Sequence, residues 1–221
     1  MKKITKFLPV ALALMLTCPA FAATSDNAKS TMTLTVPEFI NITKGSCIET
    51  ATASFDDEYT TITLDNAMSG VYTVITNKPG DKVKISATAM ADGAETPALF
   101  GSDADSLKLV LTNIGSGKHA ATVSALTNCK ATKETPTAIA QNANAICFTL
   151  TPVITPDATS GAKAPLSSTV GDDGYGVTYT IDNGKYDFTY TLGQTAESNT
   201  FSTHDTDGTY KATLTLSQVN P

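Results

Sequence analysis

Residues 31–36 read Thr31-Met32-Thr33-Leu34-Thr35-Val36, a faultless alternation of hydroxyl and apolar side chains, and this period of two recurs along most of the chain. In an extended chain successive side chains point to opposite faces, so the pattern commits the chain to strands with one wet face and one buried face. Threonine supplies about one residue in six, and its branched side chain favours a pleated, half-buried surface. The same alternation predicts strands over residues 39–42, 60–64, 70–77, 82–89, 107–113, 146–150, 176–181, 185–192 and 209–217. Pro37 ends the first alternating run or marks it as an edge, because proline cannot donate to a ladder.

Turn chemistry punctuates these runs. Asn77-Lys78-Pro79-Gly80-Asp81 and Asp182-Asn183-Gly184 each separate two of them. The Asn-Gly pair tolerates positive φ and predicts a hairpin between its flanking strands. Residues 151–174, rich in Pro, Ala, Ser, Thr and Gly, read as a long surface loop. The best helical segment is 135–143, where a threonine stands ready to cap and Pro136 suits a first helical position. Together these features predict an all-β antiparallel sandwich with one short helical excursion.

The first 22 residues are an address. Lys2, Lys3 and Lys6 precede the apolar run from Phe7 to Leu16, and Ala20-Phe21-Ala22 has the small-x-small form a signal peptidase needs. The run is too short to cross about 30 Å of hydrocarbon as a helix. Thr17 before Cys18 departs from the small residue that a lipidation site wants. Cleavage after Ala22 removes three lysines and no acid, taking the formal charge from −6 to −9. The remainder, residues 23–221, is expected to form a single domain with an N-terminal strand extension at 30–36. No later segment has the continuous apolar length of a membrane span. With aromatics at 7%, the two aromatic girdles of an outer-membrane barrel would be hard to furnish. The chain is therefore expected to be exported.

Composition excludes one class of partner. All the basic residues are lysine, arginine and tryptophan are absent, and the chain is acidic. The positive footprint and the bidentate donors of nucleic-acid readers are both missing. Three cysteines would remain after cleavage: Cys47, Cys129 and Cys147. Cys129 and Cys147 close the shortest loop, worth about 3 kcal/mol in the chain-entropy model, and are the expected disulfide. Pairing of Cys47 with either stays open, and an odd count leaves one thiol over or shared between chains.

No catalytic constellation emerges. Asn113-Ile114-Gly115-Ser116-Gly117-Lys118-His119 lacks the first glycine and the final hydroxyl of a phosphate loop, and reads as a turn. His204 beside Asp205 could supply half of an acid–base pair, but a lone turn histidine is the simpler reading. The acid groups Asp56-Asp57-Glu58, Asp103 with Asp105, Asp172-Asp173 and Asp205 with Asp207 could attract a divalent ion. The last holds a DxDG fragment without the remaining ligands of a calcium loop, and each is read as a solvated turn. The sequence is thus expected to carry neither an enzyme activity nor a cofactor.

Several of these pieces resemble bacterial fimbrial subunits and spore-coat-like secreted domains with an immunoglobulin-like β-sandwich. They are the signal segment, residues 31–36, Val74-Ile75-Thr76-Asn77 followed by Gly80, and Asp207-Gly208-Thr209-Tyr210-Lys211-Ala212-Thr213-Leu214-Thr215-Leu216. The resemblance implies a final strand with Tyr210, Ala212, Leu214 and Leu216 on its core face. It also implies a structural subunit of the bacterial surface or fimbrium, exported through the periplasm, whose partners are copies of itself, related subunits and an assembly chaperone. Residues 30–36 would complete the sheet of a neighbouring subunit through Met32, Leu34 and Val36, unless they form the first strand of their own domain. The alternative is a secreted adhesin that binds carbohydrate or protein through loops such as 151–174.

Overall fold

A computed structural model of the chain describes residues 31–91, 93–101, 104–105, 107–115, 144–171, 175–197, 200–201 and 205–219. The signal segment 1–22 and the helical candidate 135–143 lie outside them. The chain divides after Val36 into two units, Met1–Val36 and Pro37–Pro221. Within the first, residues 31–36 form no strand and are exposed.

The second unit is all-β. Its strands are β1 (Ile40–Lys44), β2 (Ala53–Phe55), β3 (Ile62–Leu64), β4 (Ser69–Thr76), β5 (Asp81–Ala91), β6 (Ala94–Pro97) and β7 (Leu99–Gly101). They continue with β8 (Leu107–Asn113), β9 (Ala145–Pro156), β10 (Ser167–Val170), β11 (Val177–Ile181), β12 (Gly184–Ala196), β13 (Tyr210–Lys211) and β14 (Thr213–Gln218). Among the described residues helix is confined to one 3₁₀ turn, Ala158–Ser160, capped by the Asp157 carboxylate on Thr159 N.

All pairings are antiparallel and fall into two sheets. The larger runs β1-β4-β12-β9-β8-β13, with β3 beside β12, β2 beside β3 and β7 beside β8. The smaller runs β10-β11-β5-β14, with β6 beside β5. Their inner faces share one core, as the alternation requires. Tyr186, Phe188, Tyr190 and Leu192 of β12 point inward, as do Val83, Ile85, Ala87, Ala89 and Ala91 of β5. Large rings on one sheet and small side chains on the other let the layers interdigitate. Tyr179 meets Phe188 edge-on at 5.6 Å between centroids, and Tyr72 meets Tyr190 at 6.3 Å.

Connections between the sheets depart from the sequence reading. Asp182 and Asn183 do not close a hairpin: β11 belongs to the smaller sheet and β12 to the larger, so the chain arches from one layer to the other. Gly184, at φ +134°, is required there because a Cβ would lie 2.7 Å from the Cβ of Ala162. Residues 77–80 make a second arch alongside the first, joined by Gly80 N donating to Ile181 O at 3.0 Å. Elsewhere single runs change sheets without a turn. The run β6–β7 does so at Ala98, and the final run does so at Ala212, where β13 leaves β8 and β14 joins β5.

The expected loop 151–174 is also corrected. β9 continues to Pro156 along β12, and Ser167–Val170 is a strand beside β11. Proline misled the reading. Beyond Leu150, β9 has no partner among the described residues on the side that β8 occupies earlier. Pro152 and Pro156 fit such an edge, where a missing N–H costs the ladder nothing.

Candidate assembly surface

Met32, Leu34 and Val36 are 93%, 84% and 67% exposed, three large apolar side chains at alternate positions with nothing covering them. The segment joins the body of the chain at Pro37-Glu38-Phe39, which is held by the start of the β4–β5 arch. Phe39 N donates to Asn77 Oδ1 at 2.8 Å, and Asn77 Nδ2 donates to Pro37 O at 2.9 Å. Asn77 N also donates to Phe39 O, and Lys78 Nζ stands 3.1 Å from Glu38 Oε2.

Within the second unit two sheet edges meet. β1 is the outer strand of the larger sheet, and β14, which touches it, is the outer strand of the smaller. Their backbone polarity follows from the ladder. Ala98 N donates to Ala87 O, so Ala87 turns its polar groups toward β6. Its partner across β14, Leu214, therefore turns its own N–H and C=O away from β5, and Leu216 and Gln218 follow at the same parity. Val219, of opposite parity, donates to Lys82 O as expected. By the same logic Gly45 N on Val71 O leaves Ile40, Ile42 and Lys44 facing the free edge of β1.

The open edge of β14 has little protection. Its outward side chains are Thr213, Thr215 and Ser217, with no lysine, proline or bulge to discourage pairing. Tyr72 Oη donates to Leu214 O at a long 3.3 Å, and burial raises that phenol above its ordinary range. On the core face Leu216 is buried, while Tyr210, Ala212 and Leu214 are half-buried against the core. These are the four residues of the final run read from the sequence, now divided between two sheets. Ile40, Ile42 and Tyr72 are half-buried as well.

No protein-family model, curated protein or solved structure matches the chain.

The remaining candidates are dispersed. Cys129, His119 and His204 lie outside the described residues. Cys147 is buried in β9 opposite Val110, Cys47 reaches Gly45 O at 3.5 Å, and no disulfide joins these two cysteines. Among the described residues no group of three or more His, Cys, Asp or Glu is placed to hold a metal ion. Asp205 Oδ1 accepts from Asn144 N, and Asn113 Nδ2 donates to the Thr206 and Asp207 carbonyls. Those oxygens thus bind the ends of β8 and β9 to the 205–210 turn. Asp56 accepts from Thr60 N, Thr60 Oγ1 and Thr61 N, and the Thr60 hydroxyl bond above all lowers its carboxyl to about 2. This carboxylate fixes a turn in which Tyr59 adopts φ +55°. Among the described residues no helix is long and apolar enough to cross a membrane.

The sequence marks residues 31–36 by their alternation but not whether they pair, and the face of Tyr210, Ala212, Leu214 and Leu216 follows from the family resemblance. Sequence reasoning missed the free edge of β14 and the role of Asn77. An edge is a property of strand order, and a side-chain amide in a turn gives no signal beyond turn propensity.

Proposed function

We propose that this chain is an exported structural subunit of the bacterial surface, of the fimbrial type, which assembles when residues 30–36 of one copy add as a strand to the free edge of β14 in the next. The observation that carries the reading is the match between donor and acceptor. Residues 31–36 give six alternating positions with three exposed apolar side chains, and Thr213–Gln218 gives six positions with no strand on their outer side, where Tyr72 Oη reaches Leu214 O. Pairing would satisfy the outward groups of Leu214, Leu216 and Gln218. It would also bring Met32, Leu34 and Val36 over the half-buried Ile40, Ile42, Tyr72 and Leu214. At about 1.5–3 kcal/mol for each apolar side chain, burial of the three contributes on the order of 5–8 kcal/mol before ordering costs.

In this reading the two sheets form an immunoglobulin-like sandwich left open along the β1–β14 seam, and before assembly a periplasmic chaperone covers the seam. Export through the periplasm, by way of the 1–22 signal, brings Cys147 to oxidising conditions where it pairs with Cys129. Neither catalysis nor a cofactor enters. Removal of residues 30–36 tests the mechanism: the shortened chain is expected to stay folded by circular dichroism and to form no polymer by electron microscopy or sedimentation. Polymers made by the shortened chain would refute strand addition.

A further inference from the structure

We propose that Phe55, Tyr59 and Phe201 form a docking site for an arginine side chain of a different protein, with the Asp57 and Glu58 carboxylates on the same turn as Tyr59. Phe55 is the middle ring. Its centroid lies 6.1 Å from that of Tyr59 and 5.2 Å from that of Phe201, at interplanar angles of 44° and 38°. Phe55 stands opposite Ile62 in the β2–β3 ladder, so both lie on one face of the hairpin. Ile62 is buried there, yet Phe55 is 48% exposed and Tyr59, in the connecting turn, 62%. Phe201 packs against the core, whereas neither Phe55 nor Tyr59 belongs to it.

The turn holds Tyr59 in place. Tyr59 takes φ +55°, a left-handed conformation that is strained for a bulky side chain. Asp56 maintains it: Oδ1 accepts from Thr60 N at 2.6 Å and Thr61 N at 3.0 Å, and Oδ2 accepts from Thr60 Oγ1 at 2.7 Å. Fixing a solvent-facing ring in this way adds nothing to core burial but lowers the ordering cost of binding. Charge then selects the occupant. Between Lys44 and Lys78 the chain carries Glu49, Asp56, Asp57, Glu58 and Asp65 and no base. Lys44 is paired with Glu49, and Asp57 and Glu58 are exposed. An anionic ligand is repelled here, and a neutral sugar gains nothing from the net charge. A cation is drawn to a ring face within about 6 Å of its centroid, and the two ring spacings let one cation reach two rings. Guanidinium, flat and weakly hydrated, stacks on such faces better than ammonium, and its methylene stem covers ring surface. This chain has no arginine, so the occupant is another protein rather than a second copy.

The test uses the intact chain and two acetylated, amidated peptides, Gly-Gly-Arg-Gly-Gly and the same peptide with neutral citrulline in place of arginine. Binding is followed at low salt by NMR of the Phe55 and Tyr59 rings. The arginine peptide should shift these signals and bind about fivefold or more tightly than the citrulline peptide. Tyr59→Leu keeps an apolar side chain without a ring face. It should weaken arginine binding by about fivefold while the core signals of Phe188 and Tyr190 stay unmoved. Tyr59→Phe should bind as wild type does. Asp57→Asn combined with Glu58→Gln should weaken binding and reduce its dependence on salt. Should Tyr59→Leu not fold, Phe55→Leu is measured in its place by the same criterion. Equal affinity for the two peptides, or wild-type affinity in the leucine variant, would overturn the proposal. Ring shifts given by maltoheptaose or by phosphatidylcholine vesicles, where the arginine peptide gives none, would overturn it as well.

Discussion

Single side chains decide local geometry here by the bonds they complete. The Asp56 carboxylate, with three donors on it, should titrate far below an ordinary aspartate. Its carboxyl carbon, followed by NMR, is expected to show a midpoint near 2, and a midpoint near 4 would mean the turn is not held this way. Because the folded value is depressed, the stability it contributes is complete above the unfolded value of about 3.9 and is lost as pH falls through about 2. Gly184 is a second such point. Ala at this position meets both a forbidden φ and a 2.7 Å contact with Ala162, so Gly184→Ala should lower stability by about 1–3 kcal/mol in urea unfolding. The glycine was legible in the sequence as turn chemistry, but its reason was not. It serves an arch between layers rather than a hairpin, and the neighbour that forbids a Cβ lies 22 positions away.

At the scale of elements, alternation made the strands legible and left their partners hidden. The expected runs 70–77, 107–113 and 176–181 coincide with β4, β8 and β11 almost to the residue; β11 buries every second side chain, whereas β8 buries Leu109 to Asn113 without a break. The short β2, β6, β7 and β10 escaped because three or four residues carry too little of a period to be heard. Whether neighbouring runs share a sheet depends on contacts between distant residues. For that reason the two arches and the sheet changes at Ala98 and Ala212 had no local sign. Edges differ in their protection: the free half of β9 carries two prolines, β1 pairs Lys44 with Glu49, and β14 offers only hydroxyls on its outer face. Gln218→Pro removes one outward donor from β14 while sparing its bonds to β5. It should suppress polymers and shift the stability of the isolated chain by less than about 1 kcal/mol. Sedimentation and urea unfolding read the two effects separately, and unimpaired polymers would argue that another edge accepts the strand.

The molecule as a whole carries two unfinished parts. A segment with exposed apolar side chains at every second position precedes a body whose β1 and β14 each have a strand on one side only. Each is a poor end state alone, since exposed apolar area and free ladder groups both favour association. The parity of β14 turns this into a residue-by-residue expectation. Amide exchange measured on the isolated chain and on assembled material should differ at Leu214, Leu216 and Gln218, which become protected on assembly, while Thr215 and Ser217 keep the protection that β5 already gives them. Equal and rapid exchange at Leu214, Leu216 and Gln218 in both states would contradict strand addition at this edge.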